Sequence, residues 1–126
     1  MRKIMIVDDS QTIRRLISLV LKRRNYITIE AEDGMDAIEK LSTNPVDLII
    51  VDLNMPNMDG LEFVKTLRNN YYYMDVPIIM LTTTKDENIR RDALRAGVNL
   101  FLNKPINPDM LLYKVEGLIE GGSYGR

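Results

Sequence analysis

Two residue types that carry much of protein chemistry are missing, because the 126 residues of this chain include neither cysteine nor histidine. Without cysteine there can be no disulfide, no thiolate nucleophile and no zinc–thiolate site. Without histidine the chain lacks the commonest general base and metal ligand, and it cannot carry phosphohistidine. Carboxylates, lysines and hydroxyl groups are left, so a bound metal is expected to be a hard cation with oxygen ligands.

Excess charge and long apolar runs are also lacking. The net charge of −1 gives no bulk attraction to nucleic acid or to an anionic membrane. No apolar run approaches the roughly 20 residues that span a bilayer, and the first run begins too close to Met1 for a signal peptide. We therefore expect a cytoplasmic protein with no membrane or nucleic-acid partner. The length predicts one globular domain, residues 1–120, followed by a loose tail, residues 121–126.

Five short apolar runs alternate with segments of helical periodicity. The runs cover residues 4–7, 27–31, 48–51, 77–81 and 98–102. Runs without polar alternation are typical of strands that are buried on both faces of a parallel sheet. The pattern predicts an α/β fold, a doubly wound five-stranded parallel sheet with five helices.

Helix boundaries and one aromatic cluster complete the outline of the fold. Asp9 or Ser10 can cap the first helix. Gly97 is expected to end the fourth helix, and Asn107 to cap the fifth. The three consecutive tyrosines, residues 71–73, are expected to pack over a loop at the bottom of the sheet, with a partner surface as the alternative.

Four of the five predicted strands end at a reactive side chain. Asp8 and Asp9 follow the first strand, Asp52 the third, Thr82 the fourth and Lys104 the fifth. Parallel strands end at one edge of a sheet, and the order 2-1-3-4-5, taken by analogy with known sheets, makes these four strands contiguous. One shared site explains this pattern better than four coincidences. For Asp52 taken alone, the alternative is a residue that only ends a strand or caps a turn.

Three clustered carboxylates require compensating positive charge. Two carboxylates about 4 Å apart repel by about 4 kcal/mol at an effective dielectric near 20, so three cost up to roughly 12 kcal/mol. Lys104 can offset one charge, and Mg²⁺ suits a site with few carboxylates and retained waters. A carboxylate nucleophile beside Mg²⁺, with Lys104 and Thr82 placed to contact phosphoryl oxygens, indicates phosphoryl transfer.

The motifs resemble the receiver domains of two-component response regulators, most closely the single-domain chemotaxis type, CheY. The matching segments are VDDS at 7–10, AEDGMDA at 31–37, VDLNMPNMDGLE at 51–62, the Thr82-Thr83 step and the Lys104-Pro105 pair. The resemblance implies a flavodoxin- and CheY-like fold in which a sensor histidine kinase phosphorylates Asp52. It also implies that Asp9, Asp52 and the main-chain carbonyl of Asn54 hold Mg²⁺, with Asp8 acting largely through water.

The resemblance further implies a switch. Thr82 would be the switch hydroxyl, Lys104 the phosphate-binding cation, and Phe101 the aromatic residue that turns inward as Thr82 moves. The Lys104-Pro105 peptide bond would be cis. The output would be a population shift of the face formed by the fourth helix, fifth strand and fifth helix, read by a flagellar motor switch, a phosphatase or a phosphorelay partner. Chemotaxis relatives usually carry Tyr where Phe101 stands, which weakens the expectation of a motor partner, and Phe101 has the alternative of a plain core aromatic.

Two other functions fit the same fold. A phosphatase with an aspartyl-phosphate intermediate commonly has a second Asp two residues after the nucleophile, where this chain has Asn54. A flavodoxin-like nucleotide carrier needs a phosphate loop after the first strand, where Asp8 and Asp9 would repel phosphate. No output domain follows the last helix, so direct DNA binding is not expected. The first choice is a signalling receiver that is no enzyme beyond phosphotransfer to its own Asp52 and slow autodephosphorylation.

Overall fold

Strands and helices alternate along the chain as the sequence predicts. The computed structural model describes residues 1–121. The strands are β1 (Lys3–Val7), β2 (Ile27–Ala31), β3 (Leu48–Asp52), β4 (Ile78–Thr82) and β5 (Leu100–Asn103), and the helices are α1 (Gln11–Lys22), α2 (Gly34–Leu41), α3 (Gly60–Arg68), α4 (Glu87–Ala96) and α5 (Pro108–Ile119). All strand pairs are parallel in the order β2-β1-β3-β4-β5, which confirms the predicted doubly wound fold. Apart from Gly121, the predicted tail lies outside the described residues.

The sheet separates two hydrophobic clusters, one on each face. Every residue of β3 and β4 is buried, which is why their runs show no polar alternation. Alternate residues of β3 point to opposite faces: Ile50 packs in the cluster with α1 and α5, and Ile49 in the cluster with α2, α3 and α4. The helices therefore hold the sheet from both sides and leave the strand ends as the accessible edges.

Capping residues confirm the predicted start of α1, the end of α4 and the start of α5. Ser10, and not Asp9, caps α1, because its Oγ accepts from the Ile13 N–H at 3.2 Å. Gly97 ends α4 with a φ of 120°, and Asn107 caps α5 by accepting from the Met110 N–H at 3.0 Å. Within residues 1–121, no helix has the length and apolar character needed to cross a membrane.

The start of the fifth strand was predicted wrongly. The apolar run places Val98 in this strand, but its N–H donates to the carbonyl of Ala93 at 3.0 Å, so Val98 closes α4 instead. β5 therefore runs over Leu100–Asn103 rather than residues 98–102, and it extends one residue further than predicted because Asn103 pairs with Thr82. An apolar residue that seals a helix end carries the same sequence signal as one that begins a strand.

The expectation that all three tyrosines pack over a loop is wrong for two of them. Tyr73 packs partly against the α2–α3–α4 cluster. Tyr71 and Tyr72 are 84% and 82% exposed, and their rings meet edge to face with centroids 5.9 Å apart. The three residues lie in a turn after α3, where consecutive side chains cannot all point at one surface.

Candidate functional site

The carboxyl ends of β1 and β3 bring three carboxylates together. Asp8, directly after β1, is fully buried, and Asp52, the last residue of β3, is 5% exposed. Asp9 is exposed, and its side chain is not used as the α1 cap. One oxygen from each of the three carboxylates lies within 4.8 Å of the other two. The side chains thus converge at this edge, as the strand order requires.

Lys104 reaches the same edge from the segment after β5. Its Nζ lies 3.2 Å from Asp8 Oδ2 and 3.3 Å from Asp52 Oδ1. Asp8 Oδ1 accepts from the Ser10 N–H at 2.9 Å, whereas its buried Oδ2 has no partner in hydrogen-bond geometry among residues 1–121. Lys104 therefore compensates Oδ2 through charge more than through a well-formed hydrogen bond. Asp8 keeps lone pairs that could bind a cation.

The cluster is short of positive charge. Burial raises the pKa of the Asp52 carboxyl, and the charge of Asp8 raises it further, against the opposing effect of Lys104. Burial alone would lower the pKa of Lys104, but the charges of Asp52 and Asp8 outweigh burial and raise it. The charged form of Lys104 is therefore favoured, and further positive charge at the site would favour the ionised form of Asp52.

Because the carboxylates outnumber the positive charges near them, we expect Asp52→Asn to stabilise the metal-free protein at neutral pH by about 1 kcal/mol. Because folding raises the pKa of Asp52, the wild-type protein loses the stability linked to the protonated carboxyl as pH rises through that raised value. The advantage of the variant should be smallest at the lowest pH at which the protein is folded, then grow and level off. Urea unfolding in EDTA across this pH range measures it. Asp92→Asn makes the same change at an exposed position on α4 and is the control. An advantage of Asp52→Asn that shrinks as pH rises would contradict the excess of negative charge at the site.

Thr82 and Asn54 flank Asp52. In the parallel register Asp52 lies opposite Leu81, so Thr82 stands one residue further along the neighbouring strand. Its hydroxyl accepts from the Thr84 N–H at 2.9 Å and can still donate its own proton towards the edge. Asn54 is exposed in the following turn, and its main-chain amide opposes the rise in the pKa of Asp52.

Phe101 lies outside the carboxylate cluster. It pairs with Met80 in the β4–β5 register, two positions before the strand ends. Its ring is half-buried against the α2–α3–α4 cluster, and the Arg90 guanidinium carbon lies 4.8 Å from the ring centroid. Phe101 therefore packs at the border of this cluster, with a guanidinium over its ring. The Lys104-Pro105 peptide bond is cis, as the resemblance implies.

Two residues that shape this edge were missed by sequence reasoning. A Cβ on Gly60 would lie 2.4 Å from the main-chain oxygen of Asp52, so only glycine lets α3 begin against that residue. Gly60 lies eight residues after Asp52, in the turn Met58-Asp59-Gly60, and a glycine at that place is the sequence feature that could have indicated this close approach. Arg14 donates through Nη1 to the main-chain oxygen of Asp8 at 2.6 Å and through Nε to Glu30 at 3.1 Å. No sequence pattern near Arg14 predicts its contacts with Asp8 and Glu30.

The response regulator receiver domain family matches residues 4–116, and the chain belongs to that family. Its similarity to chemotaxis proteins extends over nearly the whole length. Chemotaxis protein CheY1 of Helicobacter pylori is 43% identical over 116 residues, which cover 90% of this chain and 94% of that protein. A CheY homolog of Campylobacter jejuni is 43% identical over 123 residues, covering 96% of this chain and 95% of its own.

Solved structures agree with the sequence relatives. CheY4 of Vibrio cholerae superposes with a TM-score of 0.89 at 38% identity, covering 94% of this chain and 98% of that chain. The resemblance found from the motifs is therefore confirmed, together with the CheY-like strand order. The protein is a receiver domain of the CheY type.

Proposed function

We propose that this receiver is switched by Mg²⁺-dependent phosphorylation of Asp52 and signals by contact with other proteins. The observation that carries the proposal is the Lys104 ammonium, set between two nearly buried carboxylates, Asp8 and Asp52, in a cluster whose three carboxylates outnumber that one positive charge. The receiver spans residues 1–120 and works in the cytoplasm. Apart from accepting and slowly losing its own phosphoryl group, it catalyses no reaction.

The donor set fits Mg²⁺. All the nearby ligand atoms are oxygens, and Asp8 Oδ2 is buried without a hydrogen-bond partner among the described residues. The side chains of Asp8, Asp9 and Asp52 would hold the ion together with the main-chain carbonyl of Asn54. Bound there, Mg²⁺ would supply positive charge to the oxygens of a transferring phosphoryl group. Asp8 is close enough to Asp9 and Asp52 to bind directly, as well as through the water that the resemblance implies.

The remaining chemistry belongs to side chains of this chain. An Asp52 carboxylate oxygen forms a bond to phosphorus while the bond from phosphorus to the donor nitrogen or oxygen breaks, which leaves an acyl phosphate. The donor is a sensor histidine kinase in this proposal. Lys104 turns from the carboxylates to a phosphoryl oxygen, and the Thr82 hydroxyl donates to another. Attack of water on the acyl phosphate later restores Asp52, so the mark is temporary.

The output surface is the exposed face of α4, β5 and α5. Large apolar side chains of α4 and α5 are open to solvent: Ile89 is 39% exposed, Met110 44% and Tyr113 57%. Movement of Thr82 and inward rotation of Phe101 would change this face and its affinity for a downstream protein. A flagellar motor switch, a phosphatase and a phosphorelay protein are the candidate partners.

Phosphoryl acceptance can be measured without knowing the kinase. We expect acetyl phosphate with Mg²⁺ to add one phosphoryl group, detected by intact-mass spectrometry, and to add none in EDTA. Asp52→Asn should accept none, because an amide oxygen is a far weaker nucleophile than a carboxylate.

Asp92→Asn is the matched control, since it makes the same chemical change on an exposed part of α4. It should be phosphorylated like the wild-type protein. Phosphorylation that continues in EDTA, or that survives in Asp52→Asn, would overturn the proposed function.

A further inference from the structure

Arg90 joins three parts of the molecule that the proposed switch has to move relative to one another. Its Nε donates to the main-chain oxygen of Thr84 at 3.3 Å, and its Nη2 donates to Asn103 Oδ1 at 2.8 Å. The same guanidinium lies 4.8 Å from the centroid of the Phe101 ring. One side chain of α4 thus contacts the loop after β4, the aromatic ring of β5 and the last residue of β5.

The Thr84 contact leads directly to the phosphoryl site. The Thr84 N–H donates to Thr82 Oγ1 at 2.9 Å, while the Thr84 carbonyl accepts from Arg90. A shift of Thr82 towards Asp52 would draw the following loop with it. The loop can move only if the Thr84 carbonyl leaves Arg90, or if Arg90 moves as well.

The Phe101 contact concerns the ring and not the strand. The main-chain oxygen of Phe101 accepts from Lys114 Nζ of α5, so the backbone of β5 is held from the opposite side. Inward movement of Phe101 is then a rotation of the side chain. Such a rotation carries the ring out from beneath the guanidinium and loses the cation–π contact.

We propose that Arg90 is a positioning residue that holds the Thr84 loop and the Phe101 ring in the resting arrangement and so opposes the phosphorylated state. This inference rests on the proposed function of Asp52. Contacts that exist in only one of two conformations bias the equilibrium towards it, and they lower the apparent affinity for any ligand that selects the other. Arg90 should therefore set how readily the receiver switches, without touching the phosphoryl group.

The test is the affinity for beryllofluoride, a phosphoryl mimic, measured by calorimetry in Mg²⁺. Arg90→Ala should lower the Kd about two- to fivefold, the change expected when a partly exposed cation–π contact no longer favours the resting state. Arg90→Lys keeps the charge but lacks the planar guanidinium that donates to both the Thr84 carbonyl and Asn103 Oδ1. Its Kd should therefore fall between those of the wild type and Arg90→Ala. Asn103→Ala removes only one contact and should shift the Kd in the same direction by less.

A spectroscopic readout separates switching from simple loss of structure. The chain has two phenylalanines, so labelling with fluorophenylalanine gives one ¹⁹F signal from buried Phe63 and one from Phe101. In Arg90→Ala the Phe101 signal should move towards its beryllofluoride-bound position before any mimic is added. The Phe63 signal should stay in place, which shows that the core is intact.

Arg91→Ala is the matched control, because it removes the same charge from the same helix and its guanidinium bonds only to Asn88 within α4 among the described residues. Its Kd should equal that of the wild-type protein. If the wild-type protein binds beryllofluoride and Arg90→Ala binds it no more tightly, Arg90 does not oppose the switch. If the wild-type protein does not bind at all, the proposed function fails, and this inference fails with it.

Discussion

Lys104→Met is expected to destabilise the metal-free protein by about 3 kcal/mol, because removing one partner of a buried ion pair leaves the other charge uncompensated. Lys104 Nζ lies 3.2 Å from Asp8 and 3.3 Å from Asp52, and Asp8 is fully buried. The estimate is at the low end of the range for such pairs because the lysine side chain is 22% exposed. Urea unfolding in EDTA measures the loss.

The origin of this loss can be separated from ordinary packing. Lys65→Met changes an exposed lysine of α3 in the same way and should cost less than about 0.5 kcal/mol. Combining Asp52→Asn with Lys104→Met should recover part of the stability, because the charge of Asp52 is then gone and only that of Asp8 is left uncompensated. A Lys104→Met protein that is no less stable than Lys65→Met would show that Lys104 does not neutralise the carboxylates.

Gly60→Ala should have the second large effect, on the position of Asp52 as well as on stability. The added Cβ would lie 2.4 Å from the main-chain oxygen of Asp52 and 2.9 Å from Leu53 Cα, and neither backbone atom can rotate away. We expect a loss of about 3 kcal/mol, at the upper end for an overpacked site. Displacement of Asp52 should also slow phosphorylation by acetyl phosphate by on the order of 10- to 100-fold.

Gly34→Ala provides the comparison, because Gly34 also opens a helix and has no positive φ. A Cβ there would lie 2.8 Å from Met58 Sδ, 2.9 Å from Met58 Cγ and 3.1 Å from Met58 Cβ, so it presses on one flexible side chain and not on the main chain. Its effect on stability should stay below about 1 kcal/mol. Equal losses of stability in the two variants, or an unchanged rate of phosphorylation in Gly60→Ala, would show that Gly60 does not position Asp52.

The strands and the polar residues at their ends could be predicted because burial of a strand on both faces explains both the apolar run and the charged residue that ends it. A strand covered on both faces is apolar throughout, so the first charged residue marks the point at which the chain leaves the core. The run before Asp52 shows this, and so does the run before Asp8. The parallel order then brings the ends together, and the three carboxylates lie within 4.8 Å of one another. The phosphoryl chemistry followed from the charges of these residues, whereas the switch role of Phe101 and the metal-binding carbonyl of Asn54 came from the family resemblance.

What could not be predicted depends on contacts between elements. Asp9 and Ser10 are both good capping residues, and only the backbone geometry selects Ser10 and leaves Asp9 for the cluster. Arg90 occupies an ordinary polar position of α4, and its role follows from where α4 lies against β5. Long, flexible side chains reach partners that no sequence spacing specifies.

The central claim, that Asp52 accepts the phosphoryl group, is tested most directly by locating that group. The protein is phosphorylated with acetyl phosphate and Mg²⁺, reduced with borohydride, which converts an aspartyl phosphate to homoserine, and sequenced by tandem mass spectrometry. We predict homoserine at position 52 and unmodified aspartate at Asp8 and Asp9. Homoserine at position 8 or 9, or unmodified Asp52 in protein that carries a phosphoryl group, would contradict the account.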